Sequence, residues 1–296
     1  MRRRGDQEMP ARRRRPAVAG LFYPSDREEL LKAIRDSFLH PIGPGLLPDA
    51  VEPGSAGRVL GYVVPHAGYM YSGPVAAHAY LDLARAERPD VIVIAGPNHN
   101  MVGLLASVYR EGVWETPLGD VEVDAEIARM IVSYSRFFGF DEDAHAYEHS
   151  IEVQLPFLQY TLGEFKFVPV SIGLQTLDVA RDLGRAVAKL VEENGVRVMF
   201  LASTDFNHYE PHDVTVEKDM YAIDAILSMD EEELYRRLEE RNITMCGPAP
   251  TAALIAYAGI LGYGKPVLLK HATSGDVTGE KSWVVGYASI RIPSQA

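Results

Sequence analysis

The chain has a single cysteine, Cys246, in 296 residues. An internal disulfide is excluded, and so is a zinc site built from cysteines alone. No apolar run approaches the roughly 18 residues that cross a bilayer. The early arginines are not followed by the apolar stretch of a signal peptide. The expectation is a soluble, cytoplasmic protein with no membrane span. There is no Gly-x-Gly-x-x-Gly, no Walker lysine and no His-Glu-x-x-His, so neither a nucleotide loop nor a helical zinc motif is written in the sequence. Asn and Gln number only five each. With abundant Glu, Arg and Pro, this is a thermophile-like composition.

Positive charge is concentrated at the start of the chain. Residues 1–15 hold seven Arg against Asp6 and Glu8, a net +5, so residues 16–296 carry −17 of the overall −12. Such an acidic body carries no nucleic-acid footprint. Residues 1–15 read as a basic, disordered arm. Residues 16–296, in a chain that is 47% hydrophobic, are enough for one α/β domain with a full core.

Hydrophobic periodicity orders the rest. A helix is expected over 26–39, with Ser25 and Glu28 at capping-box spacing, and a loop rich in Pro and Gly over 41–57. Strands at 59–64 and 91–95 flank a helix at 74–86. Short antiparallel strands fit 106–123, and a helix fits 124–135. Another helix is expected over 147–162, interrupted at Pro156. Strands over 165–172 and 196–202 enclose a helix at 178–193. Helices at 214–228, 230–241 and 251–261 and strands at 266–270 and 283–292 complete the chain. The pattern predicts one three-layer α/β/α domain with a central mixed, mostly parallel sheet.

The chemistry-bearing residues fall at strand ends. His66 and His99 each follow a buried-looking strand and are separated by about one strand–helix–strand unit. Parallel strands then bring both to the same sheet edge, where open α/β sheets bind ligands. The 196–202 strand delivers Asp205 and His208 to that edge. Loop histidines taken singly usually cap backbone groups; three strand-end cases together point to a metal or proton-transfer site. Gly68 and Gly73 after His66 suit a close backbone approach, or an ordinary turn.

Cys246, near the start of a helix, reads equally as a ligand and as an inert buried thiol. His149 is placed to shuttle protons and Glu148 to orient a neighbouring imidazole, with Glu152 near His149 on one helical face. His271 is a weaker candidate. His40, His78, His145 and His212 look incidental.

Six segments together resemble the Memo family: AGLFYP at 19–24, PHAGY at 65–69, GPNH at 96–99, EHSIE at 148–152, STDFNH at 203–208 and TMCG at 244–247. They span nearly the whole chain after the basic arm, which is not part of the family pattern. The resemblance implies a fold similar to class III extradiol dioxygenases, which use non-haem iron(II). It also implies a metal site formed by His66, His99 and Cys246, with Asp205, His208 and His149 lining the same pocket. Cysteine there replaces the carboxylate of the dioxygenases. A thiolate is softer, which suits a redox-tuned iron, copper or zinc and disfavours ring cleavage. The resemblance further implies a functional link to a radical SAM protein.

Three functions are consistent with these residues. The first is a mononuclear iron(II), or copper, oxidoreductase. The second is a hydrolase or transferase with Cys246 as nucleophile and His208 or His149 as base. The third is a module that binds a small molecule, peptide or anion in the same pocket without transforming it.

Overall fold

The computed structural model describes residues 12–295. Twelve strands form one sheet: β1 (Arg13–Arg14), β2 (Val59–Val64), β3 (Val91–Pro97), β4 (Ala106–Val108), β5 (Gly112–Thr116), β6 (Gly119–Val123), β7 (Gly139–Phe140), β8 (Lys166–Ile172), β9 (Val198–Ser203), β10 (His208–Glu210), β11 (Val267–Thr273) and β12 (Val284–Pro293). Nine α-helices accompany them among the described residues: α1 (Arg27–Leu39), α2 (Tyr69–Arg85), α3 (Ala125–Tyr134), α4 (Leu155–Leu162), α5 (Leu177–Asn194), α6 (His212–Leu227), α7 (Glu231–Glu240), α8 (Pro248–Leu261) and α9 (Ser274–Thr278).

The main strand order is β1-β5-β6-β8-β3-β9-β2-β12-β10, with β11 on β12 and β4 bridging β7 and β8. The five strands from β6 to β2 run parallel, and β12 closes them antiparallel. This is the mixed, mostly parallel sheet expected. Alternation along its strands feeds two cores. Val91, Val93 and Ala95 of β3 join the cluster under α3, α5 and α8, while Ile92 and Ile94 join the one under α1, α2 and α4. Apolar residues on both faces make β3 a fully buried strand of a three-layer domain. Each Val or Ile among them contributes roughly 1.5–3 kcal/mol by leaving water.

Several local expectations need correction. Asp26, not Ser25, caps α1, accepting from the amides of Glu28 and Glu29. The second helix starts at Tyr69, five residues early, so Pro74 lies inside it as the sixth residue and leaves the carbonyl one turn back, at Met70, without its helical partner. Residues 147–154 are not an α-helix. Two single 3-10 turns at Asp143–His145 and Glu152–Gln154 bracket an irregular turn, and α4 begins only at Leu155.

The expected arm is divided. Residues 1–11 lie outside the described residues. Arg13–Arg14 form β1, parallel to β5. Arg14 is buried, so the step in charge at residue 15 does not mark the start of the packed chain.

Candidate metal centre

Three neighbouring parallel strands, β3, β9 and β2, end together, and each places a polar residue two positions beyond its last residue: His99, Asp205 and His66. A fourth group, His149, arrives from the 148–150 turn. Gly96 makes room for that turn, since a Cβ there would lie 2.4 Å from the Ser150 hydroxyl. Ser150 Oγ donates to the Pro97 carbonyl (3.0 Å) and fastens the turn to the end of β3.

The side-chain nitrogens of His66, His99 and His149 lie within 4.8 Å of one another. The rings of His66 and His99 meet edge to face with centroids 5.1 Å apart, and His149 stacks on His99 at 4.5 Å. Phe22 covers the His149 ring at 4.6 Å.

Hydrogen bonds fix which nitrogen of the His66 and His99 rings faces the cluster. The Ser203 hydroxyl donates to the Ser150 carbonyl (2.7 Å) and accepts from Gln154 Nε2 (2.9 Å). Its proton being used, it accepts from His66 Nδ1 (2.9 Å), which leaves the lone pair on His66 Nε2. His99 Nδ1 donates to Glu148 Oε1 (2.9 Å), leaving its Nε2 free in the same way. Glu148 is fully buried and also accepts from the backbone amides of His99, His149 and Ser150. Burial alone would raise its pKa, but these bonds and the two adjacent imidazoles hold the carboxyl down to about 2. A histidine whose far nitrogen donates to a buried carboxylate is the usual preparation for metal binding.

Burial keeps the other two rings neutral. His149 is pushed down to about 4 by desolvation, and His66 well below its ordinary range by desolvation and by the neighbouring His149 and His99. Neutral imidazole is the ligand form.

Cys246 sits two residues before α8. Its Sγ lies 3.3 Å from His66 Nε2 and 3.2 Å from the amide of Asp205. It therefore joins the cluster through His66 but lies outside the mutually close histidine triple. Burial and the Asp205 carboxylate push its thiol pKa up. Asp205 Oδ1 accepts from the His66 amide (2.8 Å), and burial raises the Asp205 carboxyl to about 7. His208 donates from Nδ1 to the Thr244 carbonyl (2.8 Å), so its Nε2 is also unprotonated.

The six residues singled out in the sequence are thus gathered at one edge. His149 comes closer to His66 and His99 than its assumed shuttling role required. Glu152 behaves differently from expectation. Its carboxylate is turned to Arg14, Tyr23 and the amides of Ala17 and Val18. His271 bonds Asp219 (2.8 Å) and is not in the cluster. Ser203, Gln154 and Thr244 escaped sequence reading, although polar Ser203 and Thr204 directly after the apolar run of β9 were a visible signal.

A mixed α/β chain with histidines from the ends of two parallel strands that flank a third defines the class. Comparison with known proteins narrows it. The model of the Memo family, described as "Memo-like protein", matches residues 14–291. MEMO1 family proteins of Aeropyrum pernix and Sulfolobus acidocaldarius are each 51% identical over 280 residues, covering 94% and 93% of this chain and 99% and 98% of theirs. That of Desulfurococcus amylolyticus is 52% identical over 281 residues, covering 95% of this chain and 99% of its own. The chain belongs to the Memo family. A solved structure of an uncharacterized protein from Escherichia coli K12 covers 79% of this chain and 100% of its own at TM-score 0.52 and 14% identity, a likeness of fold alone. No described helix is long and apolar enough to cross a membrane.

Proposed function

We propose that this Memo-family protein is a cytoplasmic, mononuclear metal-binding protein: a redox protein if it holds iron(II), the first candidate, or copper, whereas zinc would serve only as a Lewis acid. The observation that carries the reading is the orientation of His66 and His99. Each has its Nδ1 committed to a buried acceptor and its Nε2 unprotonated, that of His66 facing Cys246 Sγ, with His149 completing a triple within 4.8 Å. Those three histidines, with Cys246 beside His66, would hold the ion. A soft sulfur next to imidazoles suits iron, copper or zinc better than magnesium or calcium. The ion would supply electron transfer or Lewis acidity.

The chain's own residues supply the remainder. Glu148 fixes His99, Asp205 pins the His66 backbone, and His208 Nε2 accepts or returns a proton. The ligand acted upon is a small molecule or peptide, and a radical SAM protein is a candidate functional partner.

The thiol argues against a free cysteine nucleophile, because burial and Asp205 disfavour the thiolate. Anaerobic purification followed by elemental analysis tests the proposal. One equivalent of iron or copper per chain is expected, falling below a tenth in the double variant H66A/H99A. Absence of stoichiometric metal after both ions have been supplied overturns it.

A further inference from the structure

Asn207 takes no part in the chemistry above, yet it is fully buried and both ends of its side chain are engaged. Its backbone amide donates to Asp219 Oδ1 (2.9 Å), and its carbonyl accepts from Gly286 (2.9 Å). Its side-chain nitrogen donates to Glu210 Oε2 (2.6 Å). Its Oδ1 accepts from both the amide (3.2 Å) and the hydroxyl (3.3 Å) of Thr244.

Thr244 passes the connection on. Its hydroxyl accepts from the His208 amide (2.8 Å), and its carbonyl accepts from His208 Nδ1 (2.8 Å). Two residues further, the Cys246 amide donates to the Asp205 carbonyl (3.3 Å), and the Asp205 amide donates to Cys246 Sγ (3.2 Å). The loop carrying Asp205 and His208 is thereby laced to the loop carrying Cys246, with Asn207 in the middle. Behind it the anchor is rigid. Asp219 is buried, bonded to His271, and packed where Gly286 leaves space, since a Cβ on Gly286 would lie 1.7 Å from Asp219 Oδ2.

We propose that Asn207 is a positioning residue: through Thr244 it sets the separation of the two loops, holding Cys246 Sγ within reach of His66 Nε2 and keeping His208 in the tautomer whose Nε2 is free. The purpose assigned to this lacing rests on the metal reading of the site, but the lacing itself is measurable without metal.

The test uses the full chain in metal-free buffer with three variants, N207A, T244V and T244S. T244V removes the hydroxyl at constant shape and T244S restores it. Two quantities are read: the imidazole nitrogen-15 shifts of His208 above the histidine titration range, which report its tautomer, and the rate of Cys246 alkylation by iodoacetamide. Losing hydrogen bonds worth about 1 kcal/mol in total should speed alkylation about fivefold in N207A and T244V. Both should show mixed His208 tautomers, while T244S stays at wild type. A purely stabilising role would lower the melting temperature without moving the His208 shifts. Wild-type shifts and alkylation in folded N207A and T244V overturn the proposal. If N207A does not fold, the T244V and T244S pair decides alone.

Cobalt(II) titration then separates the two readings. Loss of the thiolate-to-cobalt absorption in N207A and T244V, with binding retained, supports both. A wild-type protein that binds no cobalt removes the metal reading and leaves the clamp to be judged by the metal-free measurements.

Discussion

At the scale of single residues, Glu148 has the most to do. One buried carboxylate accepts from three backbone amides and from His99 Nδ1, with His149 Nδ1 at 3.4 Å. Glu148→Gln replaces an acceptor-only group with one whose amide faces those donors. Divalent-metal affinity should fall about 10–100-fold, as for other groups that orient a ligand. Calorimetric titration with cobalt(II) checks this, and an unchanged affinity would mean that Glu148 does not prepare His99. The two strand-end histidines were legible because strand period and unit length fix the edge on which they emerge. Glu148 was legible only as an orienting group beside a histidine. Ser203 and Gln154 were not legible: a buried hydroxyl selects an imidazole tautomer only through its other partners, and those come from residues 150 and 154 in a different segment.

At the scale of elements, the segment 145–152 depends on a strand of two residues. Arg14 in β1 donates from Nε to the His145 carbonyl (2.9 Å) and from Nη2 to the Glu148 carbonyl (2.6 Å), pairs with Glu152, and lies over the Trp114 ring at 4.1 Å. Arg14→Ala would strand the Glu152 carboxylate in the core. Removing one partner of such a pair costs about 3–5 kcal/mol. The urea midpoint should drop accordingly, and Arg14→Lys should recover only part because lysine lacks the planar fork. A loss below about 1 kcal/mol would show that the pair is not buried in solution. Neither the strand nor the turn it supports could be read in advance. Arg14 stands in a run of four identical charges that looks like a solvated arm. Residues 147–154 carry a helical pattern that Glu148 defeats by capturing the amides of residues 149 and 150 with its side chain.

At the scale of the whole molecule, acid should act early. His145, fully buried and bonded to Ser107, is held down to about 3 by burial, then by Arg14. Its folded pKa lies below the unfolded value of 6.5, so the unfolded chain binds the extra proton first. Stability therefore falls with decreasing pH, by up to about 1.4 kcal/mol per unit for this group between 6.5 and 3, and levels off below. Glu148 acts in a lower window: its folded pKa is depressed, so its contribution is lost as pH drops from 4.5 to about 2. Denaturant titrations from neutral pH to 4 should show the slope, and His145→Gln should flatten it by its share; an identical slope would place the acid sensitivity elsewhere. The layer architecture behind this was legible because alternation and element lengths constrain it strongly. The full strand order was not, since β2 finds its partners β9 and β12 far along the chain. His66 and Cys246 touch across 180 positions of sequence. A polypeptide leaving the ribosome accordingly carries both strand-end imidazoles well before the sulfur has been translated, and they cannot be joined through the sheet until β9, which lies between β2 and β3, has emerged. The thiol contact is made only in the closing phase of biosynthesis.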